Sequence, residues 1–222
     1  YATQLVNDGE TIFIGPGTTL EFFAEQLKNR QIRIVTNSLP VFTILQDSET
    51  VDLILIGGEY RSITGAFVGS LASQNISSLK FAKAFISCNG IYKNDIATYS
   101  ETEGEIQKLA FNNSIEKYLL VDNQKFNAYD FFIFYHLDDI DAVVTDSQIT
   151  DDMVERYNQF TQVLVAKKKS DWTHLLSDQI LKISPKTSWQ SLFVKRLFSE
   201  SKESYRDLGN SKSLAEVARP TT

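Results

Sequence analysis

Seven short runs of apolar and β-branched residues recur along residues 1–166: Thr11 to Ile14, Ile32 to Val35, Leu53 to Ile56, Ala84 to Ser87, Tyr118 to Val121, Ala142 to Thr145 and Val163 to Ala166. Each is apolar almost throughout, which predicts strands covered on both faces. Between them the spacing changes. Leu20, Phe23, Ala24 and Leu27 stand at i, i+3, i+4 and i+7, and Ile106, Leu109 and Ala110, then Met153, Val154 and Tyr157, repeat part of that pattern. Each set draws an apolar stripe down a helix. Strand alternating with helix predicts an α/β fold, a mostly parallel sheet flanked by helices with right-handed crossovers. No internal repeat interrupts it.

Ligands of such sheets gather outside the carboxyl ends of the strands, so the residues that follow each strand carry the functional expectation. Here they share a character: Gly15-Pro16-Gly17-Thr18-Thr19 after the first, Thr36-Asn37-Ser38 after the second, Gly57-Gly58-Glu59 after the third, Cys88-Asn89-Gly90 after the fourth and Asp122-Asn123-Gln124-Lys125 after the fifth. Small, polar, glycine-rich segments offer backbone amides, hydroxyls and one amine. That set suits a phosphate-bearing, polyhydroxylated small molecule.

Each segment also has a plainer explanation. The first is no dinucleotide fingerprint, since Leu20 replaces the third glycine, and no Walker loop, since no Gly-Lys-Ser/Thr follows. Thr18 with Glu21 three residues on reads as a capping box, which is compatible with an anion site at the same helix start. Thr36-Asn37-Ser38 is equally a turn with a cap before a helix at Leu39. Gly57-Gly58 fits a turn that needs positive φ, and Lys125 alone would be surface decoration. Convergence of all five carries the reading. Cys88 is expected to be a core filler, because no histidine stands at a strand end to activate it. His136, behind the run Phe131 to Tyr135, is expected to be packed or exposed, and Asp138, Asp139 and Asp141 a solvated loop, since the EF-hand glycine and terminal glutamate are missing. No cofactor and no metal is expected.

Charge divides the chain. Residues 1–166 hold 11 Lys and Arg against 22 Asp and Glu, while residues 167–222 hold 11 against 6. An acidic body repels a phosphate backbone and should not grip DNA by itself. The basic part holds both tryptophans, Trp172 and Trp189, and ten serines, and it opens on Lys167-Lys168-Lys169. Two units are therefore expected: a ligand-binding domain over 1–166 and a loosely ordered, dispensable tail over 167–222. No apolar run approaches the roughly 18 residues that span a bilayer, and the chain starts with no basic segment followed by an apolar one. With a single cysteine, a cytoplasmic location and no membrane partner are expected.

The runs Glu10 to Thr19, Val35 to Pro40, Leu55 to Arg61, Thr64 to Gly69, Ser87 to Ile91 and Val121 to Phe126 together resemble the effector-binding domain of DeoR-family bacterial transcriptional repressors. The resemblance covers about residues 1 to 166. It implies a fold like that of ribose-5-phosphate isomerase and glucosamine-6-phosphate deaminase, with a sugar phosphate bound as inducer. The family's Gly-Thr-Thr loop falls on Gly17, Thr18 and Thr19, its Thr-Asn-Ser on Thr36, Asn37 and Ser38, and its Lys-Phe on Lys125 and Phe126. Gly15-Pro16 departs from the acidic residue usual there. Within the family the nearest resemblance is to repressors of lactose catabolism, which implies tagatose 6-phosphate as first choice and galactose 6-phosphate as second. Such repressors read operator DNA through a winged helix-turn-helix, for which this sequence, starting at Tyr1, has no room. The expected partners are the inducer, operator DNA only through that missing domain, and further copies of the chain in a homo-oligomer.

Two rivals remain at this level. A sugar-phosphate isomerase would need a proton-moving carboxylate or histidine; Glu59, Glu103 and Asp122 stand near strand ends, but the isomerases' Asp-Gly-Ala-Asp motif is absent. A nucleic-acid arm has only Lys167-Lys168-Lys169 behind it, and such runs are usually solvated. A regulator, not an enzyme, is the preferred reading.

Overall fold

The computed structural model describes residues 1–166. The expected boundary near 167 and the properties assigned to the tail lie outside the described residues. In chain order the elements are β1 (Thr11–Ile14), α1 (Thr18–Glu25), β2 (Arg33–Thr36), α2 (Leu39–Leu45), β3 (Asp52–Leu55), β4 (Glu59–Arg61), β5 (Ala66–Val68) and α3 (Ser70–Ser77). They continue with β6 (Phe81–Ile86), β7 (Gly90–Tyr92), β8 (Asp95–Thr98), α4 (Glu101–Asn112), β9 (Ser114–Leu120), β10 (Phe132–His136), β11 (Ala142–Asp146), α5 (Asp151–Tyr157) and β12 (Gln162–Ala166).

Seven strands form one sheet in the order β12-β11-β9-β6-β1-β2-β3, and every pairing in it is parallel. All seven expected runs are its strands, displaced by up to a few residues. The expectation of two covered faces holds for β1, β2 and β6 in the middle, whose residues are nearly all buried, and fails for β3. As an edge strand, β3 alternates exposed and half-buried positions, because among the described residues nothing pairs beyond it in the sheet. Two apolar clusters flank the sheet. One gathers Phe13, Val35, Ile86, Leu119 and Val143 with α3 and α4 residues such as Ile76, Ile106 and Phe111; the other gathers Ile12, Ile14, Ile34, Phe85 and Leu120 with Leu20 and Phe23 of α1 and Leu27 just after it. Alternate residues of one strand thus serve opposite layers, as the strand period of two requires.

Two smaller antiparallel pieces were not foreseen: the hairpin β4–β5, and a sheet in the order β10-β8-β7. The latter packs on α4, where Gly104 allows the approach of Phe132; an added Cβ there would stand 2.5 Å from its ring. The aromatic run that precedes His136 forms β10. Among the described residues no helix is long and apolar enough to cross a membrane.

Strand order places the functional crest. From β1 the chain moves outward through β2 to β3, then returns to the opposite side of β1 and adds β6, β9, β11 and β12. The reversal lies between β1 and β6, and a crevice opens beyond the carboxyl ends of two parallel strands whose connections leave in opposite directions.

Candidate functional site

A cavity of about 300 Å³ occupies this crevice. Pro16, Gly17, Thr18, Thr19 and Glu21 form the wall after β1, and Ser87, Cys88 and Asn89 the wall after β6. Asp122 and Lys125 enter after β9, Thr98 from the end of β8, Glu103 and Gln107 from α4, and Ile63 and Thr64 from the β4–β5 turn.

The helix start dominates one end. Gly17 is the N-cap of α1 at φ +132°, a conformation that side-chain-bearing residues rarely adopt. The expected capping box does not form, because the helix begins at Thr18 itself and the cap has no side chain to bond the first amides. The Gly17 carbonyl accepts from the amides of Leu20 and Glu21 at 2.9 and 3.0 Å, and among the described residues the amides of Thr18 and Thr19 have no acceptor. Unsatisfied amides at the positive end of a helix form a receptor for an anion.

Lys125 stands on a short 3₁₀ turn, Asn123–Lys125, whose cap Asp122 accepts from the amide of Gln124 at 2.9 Å. The next residue, Phe126, is buried with its ring 4.9 Å from that of Tyr157, so it anchors the turn while Lys125 faces the cavity. Among the described residues Lys125 makes no ion pair.

Opposite stands α4, capped by Ser100, which accepts from the amide of Glu103. Glu103 is only 5% exposed; its Oε1 accepts from the Thr64 hydroxyl and lies 3.2 Å from Nε of Arg61, an ion pair without hydrogen-bond geometry. One turn later, Gln107 donates through Nε2 to the Ser87 carbonyl at 3.2 Å.

Of the sequence-expected residues, Gly17, Thr18, Thr19, Asn89 and Lys125 meet at this cavity, and the others do not line it. Gly15 is buried beneath it, its amide donating to the Phe85 carbonyl. Thr36, Asn37 and Ser38 are buried at and just after the end of β2, one strand farther from the switch point. Ser38 caps α2 by accepting from the Val41 amide, Thr36 accepts from the Ser38 amide, and Asn37 donates to the Phe67 carbonyl. They tie the β4–β5 hairpin to the sheet. Gly57 and Gly58 do not have positive φ, contrary to the turn expected of them; Gly58 is needed because an added Cβ would lie 2.5 Å from the Val68 carbonyl oxygen. Glu59 starts β4 beside Gly69, and Gly90 packs on the backbone of Ala128.

Ser87, Thr98, Glu103, Gln107, Ile63 and Thr64 were not put forward as ligand contacts, although Glu103 was weighed as an isomerase base. The signal for two of them was available: Glu103, Gln107 and Ala110 fall in phase along α4, so two polar residues sit on its buried stripe. The remaining candidates have structural explanations. Asp138 exchanges bonds with Asn94, Asp141 accepts from the Lys117 amide, and His136 pairs with Asp95 at 3.1 Å away from this cavity. No group of three or more potential ligands for a metal ion occurs among the described residues.

Burial pushes the Cys88 thiol up to about 12, against the lowering pull of nearby Lys125. A thiol this reluctant to ionise is no nucleophile. Iodoacetamide at pH 8 should therefore leave the folded protein unlabelled at Cys88 and modify it only after unfolding. Because the unfolded thiol ionises near its ordinary 9.0 while the folded one stays protonated, stability should fall as pH rises from about 9 to about 12.

A larger cavity, about 390 Å³, lies beyond α1, walled by Phe22, Phe23, Leu120 and Val144 near Tyr1 and Ala166. It shares Thr19 and Asp122 with the crevice, but among the described residues Gly17, Thr18 and Lys125 line the crevice and not this cavity, and the polar crevice is the better candidate.

Among solved structures the fold is similar to ribose 5-phosphate isomerase A from Methanocaldococcus jannaschii, with a TM-score of 0.40 and 18% identity over 56% of this chain and 50% of that one. Among curated proteins the chain is 58% identical over 168 residues to the lactose phosphotransferase system repressor of Lactococcus lactis, and 42% identical over 165 residues to that of Streptococcus mutans. These matches cover 74% and 73% of this chain but only 66% and 65% of the relatives, so the chain spans just under two thirds of their length. The relatives are named as repressors, not as enzymes. Residues 1–147 match the DeoR C-terminal sensor domain, and the chain belongs to that family.

Proposed function

We propose that this domain senses a phosphorylated sugar for a bacterial repressor of sugar catabolism, with tagatose 6-phosphate the first choice of inducer and galactose 6-phosphate the second. The observation that carries the proposal is the open start of α1 facing Lys125 in one polar crevice at the switch point. The phosphate binds the amides of Thr18 and Thr19, their hydroxyls and the Lys125 ammonium. Glu21, Asn89, Glu103, Gln107 and Asp122 line the same cavity and offer acceptors and amides at hydroxyl-bonding positions. The naming of both relatives as lactose-system repressors supports the choice of sugars. Operator DNA is bound by a part of the protein outside residues 1–166, since an excess of 22 acidic over 11 basic residues repels a phosphate backbone. The working repressor is a homo-oligomer.

Titration calorimetry with tagatose 6-phosphate, galactose 6-phosphate, fructose 6-phosphate and unphosphorylated tagatose tests the reading. Tagatose 6-phosphate should bind most tightly and tagatose at least a hundred-fold more weakly, because its loss empties two or more charge-assisted bonds, each roughly 1.5 to 3 kcal/mol. Equal binding of tagatose would remove the phosphate site. A preference for fructose 6-phosphate would remove the choice of sugar but keep the sensor.

A further inference from the structure

Glu103 is an unusual residue to find inside a crevice expected to hold an anion. It is 5% exposed, and a carboxylate beside a bound phosphate repels it. Yet the surrounding structure holds this side chain firmly in place. Arg61 Nε stands 3.2 Å from its Oε1, the Thr64 hydroxyl donates to the same atom, and the Arg61 guanidinium rests 5.6 Å from the ring centre of Tyr99. Both contacts engage one oxygen, leaving Oε2 without a hydrogen-bond partner among the described residues. Gln107, one turn along α4 on the same cavity wall, has its orientation fixed: its Nε2 must face the Ser87 carbonyl, which can only accept.

We infer that Glu103 is the residue that reads the hydroxyl pattern of the ligand, with Oε2 accepting from one hydroxyl or from two neighbouring ones, and that Arg61 and Thr64 are its positioning residues. The inference rests on the sugar-phosphate reading of this cavity and deepens it. A carboxylate is acceptor-only when ionised, so it matches donors, and hydroxyls are the donors a sugar carries. A bond to a charged acceptor is stronger than one to a neutral acceptor, and losing it penalises the ligand whose hydroxyl then lacks a partner. Discrimination among sugars follows, because a sugar whose hydroxyl points elsewhere leaves Oε2 without a donor. Arg61 and Thr64 both belong to the β4–β5 hairpin segment, so the residue that meets the sugar is also the one that holds this segment against α4.

The test compares two ligands on three proteins: tagatose 6-phosphate and inorganic phosphate, titrated calorimetrically into wild type, Glu103→Gln and Glu103→Asp. Glu103→Gln keeps the shape and removes the charge; Glu103→Asp keeps the charge and withdraws it by one methylene, which serves if the first variant does not fold. In both, tagatose 6-phosphate affinity should fall about ten-fold or more. Inorganic phosphate should bind Glu103→Asp as before and Glu103→Gln as well or more tightly, since a repelling charge has gone. The signs separate the alternatives. If Glu103 never touches the sugar, Glu103→Gln will tighten both ligands alike, and that result overturns the inference, as does unchanged tagatose 6-phosphate affinity in whichever variants fold. Binding of phosphate but of no sugar phosphate by wild type would instead defeat the sensor reading, and this inference with it.

Discussion

In a Thr18→Val/Thr19→Val double variant, tagatose 6-phosphate should bind about a hundred-fold more weakly or worse, while the melting temperature stays within a few degrees of wild type. Both threonines lie in the first turn of α1, Thr18 exposed and Thr19 half-buried, and neither hydroxyl makes a hydrogen bond among the described residues. Valine keeps the shape and the β-branch, so the helix loses only a few tenths of a kcal/mol in propensity. The ligand loses far more. Two hydroxyl bonds to a phosphate, each worth roughly 1.5 to 3 kcal/mol, exceed 3 kcal/mol together, and even with partial compensation by the remaining amides the loss spans two orders of magnitude. Calorimetry gives the affinity and a thermal melt gives the fold. Affinity within three-fold of wild type would place the phosphate elsewhere.

The largest effect on stability is expected at Lys83. This lysine lies in β6 at the centre of the sheet and is 4% exposed, with Nζ 2.7 Å from Glu10 Oε1 and 4.0 Å from Glu116 Oε1. Glu116 also accepts from the Tyr118 hydroxyl. Lys83→Ala would leave the largely buried Glu10 carboxylate without its cation, while Glu116, whose side chain is 42% exposed, falls back on water; losing that partner together with the packing of the buried lysine stem costs about 3 kcal/mol. For a domain of this size that corresponds to a fall in Tm of roughly 6 to 12 °C.

The pH dependence has a definite sign. Burial raises the Glu10 pKa, but bonds from the Asn7 amide, the Lys83 ammonium and the Asn7 side chain outweigh it and hold the carboxyl below its ordinary 4.5. That contribution is present above the unfolded pKa and is lost as pH falls through the folded one. The gap between wild type and Lys83→Ala should therefore be wide at pH 7 and narrow near pH 3. Ligand affinity should not change, because Lys83 is at the amino end of the strands, beside Glu10 just before β1, and the crevice is at the other end. Urea melts at the two pH values decide it; an undiminished gap at pH 3 would show that Glu10 is not the partner that matters.

Lys83 also shows where sequence reading stops. The fourth strand was expected to begin at Ala84, but it begins at Phe81 and carries Lys83 through the core, because Glu10 just before β1 and Glu116 in β9 meet it there. A lysine looks like a boundary when its partners are 73 and 33 positions away. The same limit applied on α4, where Glu103 and Gln107 interrupt an apolar stripe for reasons that lie on β4, in the following turn and after β6. Thr36, Asn37 and Ser38 show the opposite case: their polar, turn-forming character was legible, but which groups they satisfy, the hairpin and the start of α2, was not.

By itself the sequence determined the alternation of strand and helix, the parallel α/β class and the polar crest, because periodicity, turn chemistry and helix starts are carried by residues close together in the chain. It also placed Gly17, Thr18, Thr19 and Lys125 at strand ends. Which strand ends share a crevice was decided only by tertiary structure. With β1 seated between β6 and β2, the turns after β1, β6 and β9 line one cavity while those after β2 and β3 fall to the far side. That order depends on long-range pairing and burial of both sheet faces, which no local segment encodes.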